Sequence, residues 1–295
     1  MIKGSIVALV TPFLNNKVNY TKLEELIDFH IENKTDGLLL LGTTAETSTL
    51  SDNECIEIVK FCISYINDKI DIIVGVCSNN TQKAKNDIQI YEDLGIKYFL
   101  VITPYYNKAN NTGIYKHFKE ISSSISSKII IYHIPNRTGV TLDFNLIKEL
   151  SEIENIIGIK EANENFKQTV NLFSLQSENF KIYCGNDEFI IPFLALNAEG
   201  IINVSGNIIP KEIHDIYTLY KSNKTKEALD LFNLYKSLIN ALFLETNPIG
   251  IKEAMTILSM NNDELRLPLT NYSLENHNIL RKEIINVGKY FNYKV

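Results

Sequence analysis

The sequence predicts a closed (β/α)8 barrel with a C-terminal helical extension. Three observations point to it. Eight short β-branched runs each precede a stretch of helical period. The runs lack polar alternation, as parallel strands covered on both faces require. No G-x-G-x-x-G follows the first run, where a doubly wound sheet would hold phosphate; "VTPFLNNK" stands there instead.

In chain order the predicted strands are Ser5–Val10, Gly37–Leu41, Ile72–Cys77, Tyr98–Thr103, Lys128–Tyr132, Ile156–Lys160, Phe180–Cys184 and Gly200–Val204. "TKLE" from Thr21 and "SDNE" from Ser51 read as capping boxes that start helices. Gly37 in "TDG" and Gly95 in "DLG" read as helix stops before the next strand. Lys211–Lys221 supplies the helix after the eighth run. Eight repeats in about 220 residues suit one barrel. Beyond Asn223 strand signals cease, and "TKEALDLFNLYKSLINALF", "NPIGIKEAMTILSM" and "SLENHNILRKEIINVGKYF" read as amphipathic helices. Residues 1–223 are therefore expected to form the barrel and residues 224–295 a helical region packed on it.

With 45% hydrophobic and 22% charged residues, the composition is that of a soluble globular protein. A net charge of −6 argues against nucleic acid as a partner, but leaves small anions open, since one well-placed Arg can hold a carboxylate. Cys55, Cys62, Cys77 and Cys184 show no C-x-x-C spacing and read as buried thiols of a reducing compartment. Nothing before the first strand resembles a signal peptide, and no apolar run approaches the ~20 residues of a membrane span. A cytoplasmic protein without membrane attachment is expected.

The five letters "GIKEA" occur twice, at Gly158–Ala162 and Gly250–Ala254. Lys252 follows Asn247 and Pro248, which suit a helix cap and a first helical position, so it reads as a structural helix residue. Lys160 ends the sixth strand, with Glu161 to Asn163 opening the next helix. Position alone also suits a lysine stem lying along apolar surface with its head in water. Its company favours a site. The carboxyl ends of the other strands carry "LGTTAETS", Asn79, "TPYYN", "YHIPNRTG" and "CGND". Hydroxyls, one Arg and glycines converge on the rim that carries chemistry in such barrels. Nearby carboxylates are few, Glu46 and Asp187.

That inventory excludes several chemistries. The five histidines are dispersed, so no metal site is expected. No G-x-S-x-G turn supports a Ser–His–Asp arrangement. An amine, a phenol and anion-binding groups remain, the parts for Schiff-base chemistry on a keto acid. Apolar neighbours and Arg137 should lower the pKa of Lys160, and Tyr132, one strand away, can move protons. No organic cofactor is needed.

The segments "GSIVALVTPF", "GTTAETSTL", "VITPYYNK", "YHIPNRTG", "IIGIKEA" and "NPIGIKEA", in order and nearly end to end, resemble the pyruvate-dependent Schiff-base aldolase and lyase family. The likeness is to its members that condense pyruvate with L-aspartate 4-semialdehyde on the route to diaminopimelate and lysine. It implies that Lys160 forms the imine with pyruvate. Tyr132 would transfer protons, linked through Thr43 to a Tyr106 reached from a neighbouring subunit. Tight dimers assembled into a homotetramer would follow. Thr44 would hold the pyruvate carboxylate, Gly185 and Ile202 would line the pocket, and Arg137 would hold the carboxylate of the semialdehyde. Sialic acid lyases of this fold usually lack that Arg, so cleavage of sialic acid or a keto-deoxy sugar acid is the alternative. A silent sensor that only binds a keto acid is a further one.

The chain departs from the family pattern at three places. Ala45 replaces a Gly and would be strained if its φ were positive. His133 replaces an Asn and reads as a packing residue. In lysine-inhibited relatives an interface cleft uses two histidines and a glutamate where this chain has Asp52, Cys55 and Lys83. Weak or absent feedback by lysine is therefore expected.

Overall fold

The strands are mostly apolar and buried along nearly their whole length, so the sheet must be covered twice. The computed structural model, which describes residues 2–291, closes it into a cylinder. The strands are β1 (Gly4–Ala8), β2 (Gly37–Leu40), β3 (Asp71–Val76), β4 (Tyr98–Ile102), β5 (Lys128–His133), β6 (Ile156–Glu161), β7 (Lys181–Cys184) and β8 (Gly200–Asn203). All neighbours pair in parallel, and β8 closes on β1. Alternate side chains serve two cores. Ile6, Leu39, Leu100, Ile130, Ile157 and Ile202 fill the cylinder, while Val7, Leu38, Val101, Ile131 and Ile159 meet the helices outside.

The helices are α1 (Tyr20–Glu32), α2 (Asp52–Ile66), α3 (Thr81–Asp93), α4 (Asn111–Ser122), α5 (Pro135–Thr138), α6 (Phe144–Ser151), α7 (Phe166–Leu172), α8 (Ile190–Ala195), α9 (Pro210–Lys221), α10 (Thr225–Ala241), α11 (Ile249–Ile257) and α12 (Leu274–Gly288). Ser51 and Glu54 form the expected reciprocal capping box at α2. At α1 the cap is Asn19, whose side chain accepts from the Lys22 N–H, so Thr21 lies inside the helix. Asn is at least as good a cap as Thr, and it comes first in the chain. Gly95, with φ 99°, follows the end of α3 as expected. Gly37 instead opens β2, where an added Cβ would crowd Ile2 and the Asp71 carbonyl.

A hairpin of Phe13–Leu14 with Lys17–Val18 follows β1. Its turn residues Asn15 and Asn16 have φ of 52° and 60°, the pair of left-handed positions a type I′ turn needs and Asn tolerates. It buries Phe13 completely. After Lys160 the strand runs one residue further, and the next helix starts only at Phe166, capped by Asn165. Glu161 to Asn163 are thus not helical.

Candidate active site

A register shift against β5 at Ile157 resets the alternation of β6 and decides where its lysine points. Ile159 belongs to the outer layer, so Lys160 turns inward at the carboxyl-terminal mouth, 5% exposed, opposite Tyr132 of β5 in register. Its Nζ lies 4.5 Å from the centre of the Tyr132 ring. Burial lowers the pKa of the amine to about 8, because the charged form loses its hydration. Asp187, Cys184 and Cys77 push the other way, and Arg137 adds a smaller push downward. Gly185 leaves room for the lysine stem, since a Cβ there would lie 2.9 Å from Lys160 Cγ and 2.8 Å from the Glu161 carbonyl.

Tyr132 is held at its backbone by Thr103, whose N–H and hydroxyl both donate to its carbonyl at 3.0 Å. Burial pushes the phenol up to about 12, opposed by Arg137 and by a hydrogen bond with the Thr43 side chain. Thr43 and Thr44 sit in a single 3-10 turn, Thr43–Ala45, after β2. Ala45 does not carry a positive φ; the left-handed position falls on Glu46, at 55°. The alanine therefore costs nothing there.

Thr44 is buried, and its Oγ1 accepts from Asn247 Nδ2 at 2.9 Å. Arg137, on α5, donates through Nη2 to the Asn247 carbonyl at 2.7 Å. A cavity of about 830 Å³ is lined by Thr43, Thr44, Tyr132, Arg137, Lys160 and Gly185. Ile202 does not line it. It lies deeper, in the inner core, and Val204 takes the lining position. Tyr106 does not line it either; its side chain is 88% exposed.

Several lining residues escape the sequence reading. Glu164, Glu188, Thr246 and Asn247 are among them, together with Glu245, whose carboxylate accepts from the Ser273 N–H at 2.9 Å. The mouth thus holds more carboxylate than expected. Glu46 is not part of it. Its side chain is buried against Lys252, and it accepts from the Arg266 N–H at 2.9 Å. Asp187 ties β7 to the loop after β8 by accepting from the Ser205 N–H at 2.7 Å and the Val204 N–H at 3.1 Å.

His133 and Glu161, one residue beyond Tyr132 and Lys160, point to the other side of the barrel wall. The Leu142 N–H donates to His133 Nε2 at 3.0 Å, so the proton sits on Nδ1 and is donated to Glu161 at 2.9 Å. A second cavity of about 440 Å³ shares Thr43 and Arg137 with the first and includes Asp52, Cys55 and Lys83. Lys83 pairs there with Asp52 at 2.9 Å and Asp87 at 3.0 Å. Among the described residues no group of three or more His, Cys, Asp or Glu could hold a metal ion, and no helix is long and apolar enough to cross a membrane.

Comparison with known proteins gives one consistent result. The 4-hydroxy-tetrahydrodipicolinate synthase of Clostridium tetani (strain Massachusetts / E88) is 45% identical over 287 residues, 97% of this chain and 98% of that one. The crystal structure of dihydrodipicolinate synthase from Aquifex aeolicus superposes with a TM-score of 0.95 at 36% identity, covering 99% of this chain and 100% of the other. The chloride-inhibited dihydrodipicolinate synthase from Acinetobacter baumannii, solved with pyruvate, gives 0.95 at 36% identity over 98% and 99%. The model of the Dihydrodipicolinate synthetase family matches residues 1–286, and the chain belongs to that family.

Proposed function

We propose that the chain is a 4-hydroxy-tetrahydrodipicolinate synthase, condensing pyruvate with L-aspartate 4-semialdehyde in diaminopimelate and lysine biosynthesis. The observation that carries the reading is the buried Lys160 amine, its pKa drawn down to about 8 beside the Tyr132 phenol. A neutral amine attacks C2 of pyruvate, and loss of water leaves an iminium. The iminium withdraws electrons from the adjacent methyl, which gives up a proton to form an enamine. That carbon attacks the aldehyde of the second substrate. The amine of the adduct then attacks C2, closes the ring and releases Lys160.

Tyr132 carries protons in these steps, with Thr43 as its hydrogen-bonded relay. Thr44 holds the pyruvate carboxylate and Arg137 the second carboxylate, as a guanidinium fork does well. The electron sink is the protein's own imine, so the reading calls for no metal or organic cofactor. Tyr106 reaches the site of a neighbouring copy, and the enzyme works in the cytoplasm as a homotetramer built from tight dimers.

Purified protein should form the heterocyclic product from pyruvate and the semialdehyde and release no pyruvate from N-acetylneuraminate. Arg137→Ala should raise KM for the semialdehyde by roughly 10- to 100-fold, the worth of a charge-assisted hydrogen bond, and leave the KM for pyruvate nearly unchanged. Faster cleavage of the sugar acid than condensation would replace this reading with the lyase one.

A further inference from the structure

Thr44 and Arg137 come from the ends of different strands, yet both are tied to Asn247, which lies outside the barrel. The Asn247 side chain donates to Thr44 Oγ1 at 2.9 Å, and its carbonyl accepts from Arg137 Nη2 at 2.7 Å. Asn247 is not spent as a helix cap: α11 is capped at Pro248 and receives no side-chain cap bond. It lines the cavity. Five residues on, Lys252 grips the same loop again through Glu46, so the strand-two loop is fixed at two points by one segment.

This arrangement has a chemical consequence. A hydroxyl that accepts a hydrogen bond from an amide turns its own proton elsewhere and becomes a stronger donor. For Thr44 the open direction is the cavity. Arg137, with Nη2 held on a carbonyl, keeps its other N–H groups for a carboxylate. One residue therefore sets both anion-holding groups and their separation.

We propose that Asn247 is a positioning residue that makes the Thr44 hydroxyl a donor to the keto-acid carboxylate and registers Arg137 against it. The proposal rests on the synthase reading of the site. Asn247→Ala removes the amide and leaves the carbonyl on Arg137. It should raise the KM for pyruvate about tenfold, the loss of one hydrogen bond to an ionised group, and move the semialdehyde KM less than about threefold. Asn247→Asp keeps the volume and the fold but accepts the Thr44 proton and sets a negative charge beside the substrate. Its pyruvate KM should rise at least as far, with a melting temperature close to wild type.

A merely structural role predicts the reverse, and Asn247→Asp with both KM values within about twofold of wild type would overturn the proposal. So would an Ala variant whose two KM values rise together. Wild-type protein that forms no borohydride-stable adduct with pyruvate would defeat the synthase reading, and this proposal with it.

Discussion

Lys160 shows what one buried amine does to both chemistry and stability. An unperturbed lysine is almost wholly charged at neutral pH, whereas a pKa of about 8 leaves roughly a tenth of it neutral at pH 7. The profile of kcat/KM for pyruvate should therefore rise with pH and level off just above about 8, since this ratio reports the free enzyme. A limb near 10 instead would show the amine to be unperturbed. The same shift has a thermodynamic sign. The unfolded chain holds this proton more tightly than the folded one, so the group's contribution to stability rises between about 8 and the ordinary 10.5. Below about 8 the lysine is charged in both states and its cost is constant.

Among the site residues, those within short motifs were legible in the sequence. Lys160 closes an Ile-rich strand, Tyr132 precedes "HIPNRTG", and both fall on the same rim because parallel neighbours share a direction. Asn247 was not legible as a site residue. Its partners Thr44 and Arg137 lie 203 and 110 residues away, and its local context, ahead of a proline and a helical run, reads as a cap. Glu46 was misplaced for a related reason. Its left-handed φ turns the side chain away from its neighbours Thr43 and Thr44, which no periodicity reveals.

At the scale of elements, the second "GIKEA" is a clamp rather than a nucleophile. Lys252, 1% exposed, pairs with Glu46, donates to the Glu264 carbonyl at 3.1 Å and lies 4.3 Å from the centre of the Phe13 ring. Arg266 covers the same ring at 4.4 Å and binds Glu54 through both terminal guanidinium nitrogens. The hairpin, the strand-two loop, α11 and the start of α2 meet at this knot. Lys252→Met leaves a carboxylate buried without its partner and should cost on the order of 3–5 kcal/mol in denaturant unfolding. Adding Glu46→Gln should recover most of that loss. A single variant costing under about 1 kcal/mol would show that the pair is not what fixes the loop. The eight strands were legible because each is a short, mostly apolar run ahead of a segment of helical period. The hairpin was not, since two-residue strands carry no period and only the Asn15–Asn16 pair marks the turn.

For the whole molecule, the proposed assembly turns on Tyr106. Tyr106 is 88% exposed, with φ at 68°, and does not line the cavity of its own chain. If a second copy takes it, two inactive proteins should complement. Lys160→Ala chains mixed with Tyr106→Phe chains should regain activity, because one site of each mixed dimer then has both groups. Activity no greater than the mean of the two separate proteins would show that Tyr106 does not serve a neighbour's site.

The most direct test of the covalent account is reduction with borohydride in the presence of pyruvate, followed by mass mapping of the peptides. The adduct should appear on the peptide containing Lys160 and vanish in Lys160→Ala; an adduct on Lys252, or none at all, would contradict it.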